Sequence, residues 1–187
     1  MKQAKQIIGY WCEEIQRGRA LGQGICVVVL DTGICAHPDF GKRILEFRDF
    51  VHRKEQMYDD SGHGTHVAGI LAGDGRISGG TYAGIAPKAS LLIAKVLDQD
   101  GNGSVESVLE GMRWVLSMRK KYPIRVVNIS VGAKPNLEQR QKKRLILGAE
   151  SLWDAGIAVV ASAGNDGPER GSIASPGDSR KIITVGA

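Results

Sequence analysis

Cysteine is scarce in this sequence, and its scarcity excludes two common ways of holding a small fold together. The chain contains three cysteines, Cys12, Cys26 and Cys35. An odd number cannot all pair within one chain, and their spacing matches neither a disulfide framework nor a zinc site. Reduced thiols are typical of the cytoplasm, so we expect a cytoplasmic protein. Secretion stays open, since a leader peptide is removed from a mature protein.

Aromatic residues and long apolar runs are also few. Phe, Trp and Tyr make up 5% of the chain, and the net charge is +5. No basic stripe interleaved with aromatic residues is present, which argues against nucleic-acid binding. The densest basic cluster, residues 140–144, is interpreted as the solvated face of a helix. No apolar run is long enough to span a membrane, so we expect no membrane partner.

What the sequence does contain is typical of a globular α/β domain. Hydrophobic residues make up 42% of the chain, and its 25 glycines indicate many tight turns. No internal repeat, low-complexity segment or linker divides it, so we expect one domain over residues 1–187.

Apolar runs alternate with helical periodicities along the chain. Strands are predicted at residues 25–30, 44–50, 91–97, 124–131, 157–161 and 182–185. Helices are predicted at residues 2–17, 104–116 and 137–155, and a further one begins at His63. This alternation predicts a three-layer α/β/α fold with a mainly parallel sheet.

Polar residues follow or precede these elements in three short segments: Asp31-Thr32-Gly33, Gly62-His63-Gly64 and Ala163-Gly164-Asn165. An aspartate can orient an imidazole, the imidazole can act as a general base, and a carboxamide can donate to a developing oxyanion. In open parallel sheets, functional residues lie at the carboxyl ends of the strands. We therefore expect Asp31 to be hydrogen-bonded to His63 at this edge of the sheet, with Asn165 on the same edge. The alternative, a structural histidine in a tight turn, does not explain the other two segments.

Short motifs spread over nearly the whole chain resemble the N-terminal part of subtilisin-family serine proteases. They lie at residues 28–34, 37–40, 62–69, 84–87, 95–97, 127–132, 163–165 and 183–187. Aspartate before histidine is also the order of the subtilisin triad. The most similar variant is the bacterial intracellular group, through the segment around His63 and through Ser175-Pro176-Gly177.

The resemblance implies a subtilisin-type endopeptidase that hydrolyses peptide bonds in polypeptide substrates. It implies that Asp31 is the triad acid, His63 the base and Asn165 the oxyanion donor. It also implies a substrate-binding set that comprises Gly101, Asn102, Gly103, Ser130, Val131, Gly132, Ala161, Ser162, Ala163 and Gly164.

The resemblance implies no cofactor for the reaction, and it leaves calcium open. Asp39 matches a position that contributes to a calcium site in many extracellular relatives. The partner loop, residues 74–80, does not resemble their ligand loop, and Arg76 adds the wrong charge for a cation site.

One departure from the family pattern concerns the nucleophile. The family's serine lies in a Gly-Thr-Ser segment beyond the Val-Gly-Ala strand, and this sequence contains no Gly-Thr-Ser up to Ala187. We therefore expect a fold truncated before the nucleophile's helix, and a chain that is inactive by itself. We also expect an exposed apolar groove beside the helix that begins at His63. That groove would favour self-association or binding of a missing C-terminal segment.

Two alternatives remain at this point. A pseudoprotease would keep the cleft as a peptide-binding module without chemistry. Cys35 lies close enough in sequence to Asp31 to be considered as a substitute nucleophile, although a structural thiol is the simpler interpretation.

Overall fold

The computed structural model describes residues 2–10, 15, 18, 20–132 and 137–186. It contains six strands: β1 Cys26–Asp31, β2 Ile44–Asp49, β3 Ser90–Lys95, β4 Ile124–Ile129, β5 Ala158–Ser162 and β6 Ile183–Val185. Its α-helices are α1 Lys2–Ile7, α2 His63–Ala72, α3 Val105–Met118 and α4 Gln139–Asp154. Short 3₁₀ turns lie at Pro38–Phe40 and Arg76–Ser78.

The strands form one sheet in the order β2-β3-β1-β4-β5-β6, and every neighbouring pair is parallel. All six residues of β1 are buried, as its continuous apolar run predicts. The three-layer α/β/α prediction is confirmed, since helices cover both faces of a parallel sheet.

Alternate residues of β1 point into two separate cores. Val28 and Leu30 pack with buried residues of α3 and α4, whereas Val27 and Val29 pack with residues of α2. This period of two is the ordinary alternation of a strand. It also places Asp31, which follows Leu30, on the face of the sheet that α2 covers.

The helix predicted over residues 2–17 is not continuous, because it is interrupted at residues 8–10. Ile15 is helical again, and residues 11–14, 16 and 17 lie outside the described residues. α1 ends at Ile7, and Gly9 follows in the left-handed conformation at φ 62°. Tyr10 N donates to Lys5 O and Gly9 N to Gln6 O, the pattern of a Schellman cap. Ile7 and Ile8 at the end of this helix are 86% and 62% exposed. Trp11 and Cys12 lie outside the described residues.

Strands β3 and β4 end two residues earlier than the apolar runs predict. The end of β3 has a clear cause, because Val96 N and Leu97 N both donate to the carbonyl oxygen of Asp31. This double contact turns the chain out of the sheet directly beside Asp31.

One face of α2 is left open. Ile70 is 40% exposed there, and a groove of about 470 Å³ runs alongside it. We call this the α2 groove; it is lined by His37, Asp39, Phe40, Gly62, Thr65, His66, Gly69, Ile70, Gly73 and Tyr82. An open groove at this helix agrees with the expectation from the sequence.

Among the residues that the structure describes, no helix has both the length and the apolar character needed to cross a bilayer.

Candidate active site

The site is centred on a contact between β1 and α2. Asp31 is the last residue of β1 and fully buried, and His63 is the first residue of α2, with its side chain 52% exposed. His63 Nδ1 lies 2.6 Å from Asp31 Oδ1. An ionised carboxylate only accepts, so Nδ1 donates, and a neutral ring then keeps Nε2 as an acceptor. The structure therefore places these two residues together at the carboxyl edge of the sheet, where the sequence predicts them.

The Asp31 carboxylate uses its two oxygens differently. Oδ1 also accepts from Thr32 N at 2.7 Å. Oδ2 is buried and has no hydrogen-bond partner within the described ranges. His63 Nδ1 and Thr32 N thus both donate to Oδ1.

Glycines allow α2 to approach β1 closely enough for this contact. A Cβ on Gly64 would lie 2.3 Å from Gly33 O and 3.2 Å from Asp31 Cβ. Gly62, the residue before the helix, has φ 87°, a left-handed conformation that glycine adopts without strain. Gly64 is therefore needed for the close approach to β1, and Gly62 for the left-handed backbone conformation before the helix.

Asp59 holds the first turn of α2 against β1. Its carboxylate accepts from Thr32 Oγ1 at 2.8 Å, Gly62 N at 2.9 Å and Thr65 N at 2.8 Å. Burial raises the pKa of Asp59, but the hydrogen bonds from Thr65, Gly62 and Thr32 outweigh it, so the pKa lies below its usual value. An anion at a helix N-terminus is also favoured by the helix dipole. Asp59 was not among the predicted site residues, although two aspartates directly before Ser61 were a visible signal.

A cleft of about 720 Å³ opens beside His63. It is lined by Thr32, Ser61, His63, Leu97, Gln99, Asp100, Gly101, Ser130, Val131, Gly132, Ser162, Gly164, Asn165, Asp166 and Ala174. The structure therefore brings Asn165 to the same cleft as His63. It also brings there six of the predicted substrate-binding residues: Gly101, Ser130, Val131, Gly132, Ser162 and Gly164.

Two further predicted residues line an adjoining pocket. Asn102 and Gly103 border a cavity of about 460 Å³, which shares Gly101, Val131 and Gly132 with the cleft. The backbone oxygen of Asn102 accepts from Asp98 N, which closes the turn that carries Gly101. The cleft and this second pocket are thus adjacent, and the segments at residues 101–103 and 130–132 border both.

The remaining two predicted residues do not line the cleft in the described part of the chain. Ala161 is 1% exposed and belongs to the core between the sheet and α3 and α4. Ala163 bonds through its backbone, donating to Val185 O and accepting from Ala174 N, both at 2.8 Å. They support the cleft wall from behind instead of facing it.

Ala174 is a cleft residue that the sequence analysis missed. It is 7% exposed, and a Cβ added to Gly164 or Gly132 would lie 2.8 Å or 3.1 Å from the Ala174 Cβ. Its side chain therefore lies between the two glycine-bearing walls. The neighbouring Ser175-Pro176-Gly177 motif was the available signal.

Cys35 lies in the loop between β1 and β2, where it contacts the first turn of α2 and the loop before it. Its backbone N donates to Thr65 Oγ1 at 2.9 Å, and its thiol lies 3.6 Å from Asp59 O. Cys35 is not among the residues that line the cleft with His63. These contacts favour a structural thiol over a substitute nucleophile.

The groups around Asp39 are hydrogen-bonded by donors of the protein itself. Asp39 Oδ1 accepts from Ile77 N at 3.0 Å, and the Arg76 guanidinium pairs with Asp74 at 3.2 Å. Arg43 donates to three backbone oxygens, those of Ala72, Ala89 and Asp39. Calcium takes six to eight oxygen ligands, and a guanidinium already occupies the backbone oxygen of Asp39.

A histidine–aspartate pair at the carboxyl edge of a parallel α/β/α sheet, with a carboxamide in the same cleft, is an arrangement that α/β serine peptidases use. The sequence comparisons agree. The chain belongs to the subtilase family, whose family model matches residues 22–187.

Curated relatives give the same result. The chain is 43% identical over 180 residues to serine protease AprX of Bacillus subtilis, covering 94% of this chain and 41% of the relative. It is 38% identical over 146 residues to the thermostable alkaline protease of Halalkalibacterium halodurans, covering 78% of this chain and 37% of the relative. It is 37% identical over 167 residues to subtilisin Savinase of Lederbergia lenta, covering 89% of this chain and 56% of the relative.

The chain thus spans between about a third and somewhat more than half of the length of these relatives.

Proposed function

We propose that this chain supplies the acid–base half of a subtilisin-type serine endopeptidase site. The observation that carries the proposal is the 2.6 Å contact between His63 Nδ1 and Asp31 Oδ1, with the rest of the imidazole open to the cleft. The nucleophilic serine is proposed to come from polypeptide outside residues 1–187, since no Gly-Thr-Ser segment occurs within them.

The proposed chemistry follows from the protonation states. His63 Nε2 takes the proton of the serine hydroxyl as it attacks the peptide carbonyl, and then gives that proton to the leaving amine. Asp31 keeps the imidazole in the required tautomer and stabilises the imidazolium that forms. The carboxamide of Asn165 donates to the oxyanion of the tetrahedral intermediate.

The cleft provides the proposed substrate site. Residues 101–103 and 130–132 would run on either side of the substrate backbone, and residues 162–164 would form a further wall. The side chain of Ala174 lies between Gly132 and Gly164, which supports a role for Ala174 as the floor of the cleft between these two segments.

We also propose that the α2 groove binds polypeptide, either a further segment of the same peptidase domain or a second copy of this chain. The groove is predominantly apolar, and Ile70 and Tyr82 in it are 40% and 70% exposed. Covering such a surface is favourable by about 25 cal/mol for each Å² of apolar area, less the cost of association.

Two further proposals concern the cellular location of the protein and its dependence on calcium. Cys26 and Cys35 are free thiols, which supports a cytoplasmic location. The Arg43 and Ile77 contacts around Asp39 support a fold that does not depend on calcium.

A hybrid enzyme tests the proposed activity. Residues 1–187 are joined to the part of AprX that follows its match with this chain, and peptide hydrolysis is measured. We expect hydrolysis by the hybrid, and its loss on His63→Ala or Asp31→Asn. In subtilisin itself, removing the base lowers kcat about 2 × 10⁶-fold, and removing the aspartate lowers it about 3 × 10⁴-fold. These values were measured in the family and were not obtained from this structure.

The matched control is His52→Ala, because His52 is exposed and does not line the cleft. A hybrid that hydrolyses peptides equally well with and without His63 would contradict the proposed function. A folded hybrid that binds peptides in the cleft without hydrolysing them would support the pseudoprotease alternative.

A further inference from the structure

Lys95 is a lysine with no exposed surface, located at the carboxyl end of β3 next to the candidate active site. In the sheet register it pairs with Asp31 of β1 on one side and with Asp49 of β2 on the other. Residues in register on neighbouring strands point to the same face of a sheet. Three buried charged side chains therefore lie in a row on the face that α2 covers.

The Lys95 ammonium has three protons, and the structure provides a partner for each. Nζ donates to Thr32 O at 2.6 Å, to Asp60 Oδ1 at 2.7 Å and to Leu97 O at 2.9 Å. The ring of Tyr58 lies 4.9 Å from Nζ and adds a cation–π contact. A buried ammonium is tolerated only when it is paired and hydrogen-bonded in this way.

Each acceptor belongs to a different part of the candidate site. Thr32 follows Asp31 directly, Asp60 lies three residues before His63, and Leu97 lines the cleft. Lys95 thus joins the end of the strand that carries the acid, the loop that leads to the base and one wall of the cleft. None of the side-chain contacts described for Lys95 is with Asp31 or His63.

Asp49 also fixes the loop before His63 next to Lys95. Asp49 accepts from Val51 N, His52 N and the hydroxyl of Tyr58, whose ring faces Lys95. Burial raises the pKa of Asp60, but the hydrogen bond from Lys95, a backbone hydrogen bond and the charge of Lys95 together outweigh it, so the pKa lies below its usual value. Asp60 is therefore ionised at neutral pH and serves as the counter-charge of Lys95.

We propose that Lys95 is a positioning residue for the Asp31–His63 pair. The inference rests on the proposed function and assigns this lysine a role that composition and motif do not. Without the ammonium, Thr32 O and Leu97 O lose their donor, and the carboxylate of Asp60 turns to water. The loop from Tyr58 to Gly62 then no longer holds the half-exposed imidazole against Asp31.

A nuclear magnetic resonance experiment on the chain itself tests this inference. The chain is labelled with ¹⁵N-histidine, and the ring proton on His63 Nδ1 is observed. A short hydrogen bond to a carboxylate gives such a proton a downfield, exchange-protected resonance. The variants are Lys95→Met, which keeps the length of the side chain without its charge, and Asp60→Ala, which removes the counter-charge from a partly exposed position.

The control is Leu152→Ala, a fully buried residue of α4 in the core on the opposite face of the sheet. We expect Lys95→Met and Asp60→Ala to lose the His63 Nδ1 proton resonance while their backbone amide spectra stay dispersed. We expect Leu152→Ala to lower the melting temperature and to keep the resonance. A role in stability alone would not separate the variants in this way.

Other results overturn the inference. A folded Lys95→Met chain with an unchanged His63 resonance would show that Lys95 does not position the pair. If Lys95→Met does not fold, the Asp60→Ala chain decides in the same manner. Absence of the resonance in the unaltered chain would contradict the Asp31–His63 contact and the proposed function with it, whereas its persistence in the variants overturns only the role of Lys95.

Discussion

The backbone of Gly64 packs directly on the backbone of Gly33, so that a Cβ on Gly64 would lie 2.3 Å from Gly33 O. This approach lets Gly64 N donate to Thr32 Oγ1 at 2.9 Å, and it brings the preceding residue, His63, to Asp31. The position of the imidazole therefore depends on a close contact between two glycines.

Gly64→Ala is expected to destabilise the chain, because a methyl group cannot be accommodated against the carbonyl of Gly33. Overpacking of this kind costs about 1–3 kcal/mol or more. The control is Gly69→Ala in the same helix, where an added Cβ meets no atom within 4 Å. That change should be neutral or stabilise by about 0.5–1 kcal/mol. Urea unfolding of the two variants measures both effects, and an equal response to the two substitutions would contradict the packing argument.

Asp59→Asn is expected to lower the free energy of unfolding at pH 7. Its amide NH₂ group cannot accept the hydrogen bonds that Asp59 Oδ2 receives from Thr65 N and Oγ1. Hydrogen bonds to a charged group contribute about 1.5–3 kcal/mol. Folding lowers the pKa of Asp59, so its stabilising contribution is present above the unfolded pKa of about 3.9 and is lost as the pH falls through the folded value.

The difference in unfolding free energy between the unaltered chain and Asp59→Asn should therefore shrink as the pH is lowered from 6 to 3. Urea titrations at several pH values measure it. A difference that stays constant over this range would show that the carboxylate is not hydrogen-bonded as described.

Calcium is expected to leave the melting temperature unchanged. Ile77 N and the Arg43 guanidinium already bond to the groups around Asp39 that a cation site would use. A ligand present at 100 times its dissociation constant would stabilise the fold by about 2.7 kcal/mol, which a melting curve detects. Scanning calorimetry with millimolar calcium and with a chelator makes the comparison. A melting temperature that rises with calcium and falls with the chelator would show that a site exists.

The local parts of the site could be predicted from sequence, and the long-range ones could not. β1 and the start of α2 are marked by short motifs, so Asp31 and His63 were identifiable. Asp59 bonds to Thr65 across 6 positions and to Thr32 across 27, and no local pattern reports which polar side chains turn inward. Lys95 appeared only within the motif at residues 95–97, because the direction of its ammonium depends on three separate segments.

The same reason explains the errors in element boundaries. Apolar periodicity predicted α1 to residue 17, but it cannot detect that Gly9 adopts a left-handed cap. The run from Leu91 to Leu97 is apolar beyond the strand, and β3 ends at Lys95 because Asp31 O captures the next two amides. Hydrophobicity predicts burial, whereas the end of a strand depends on where its hydrogen-bond partners lie.

Ile70→Glu is expected to abolish association through the α2 groove. Ile70 is 40% exposed within the groove, so a charge there leaves the fold intact and opposes burial against another surface. Ile7→Glu is the matched control, since Ile7 is 86% exposed and does not line the groove. Sedimentation velocity and binding of a hydrophobic dye measure the change. Association that is equally sensitive to both substitutions, or to neither, would contradict the role of the groove.

The central claim is that residues 1–187 hold the acid, the base and the oxyanion donor of the site, and that the nucleophile lies elsewhere. Fluorophosphonate labelling of the AprX hybrid, followed by peptide mapping, tests it most directly. The account predicts stoichiometric label on a serine outside residues 1–187, and no label on the 187-residue chain alone. Stoichiometric label on a residue within the chain, such as Ser61, Ser130, Ser162 or Cys35, would contradict it.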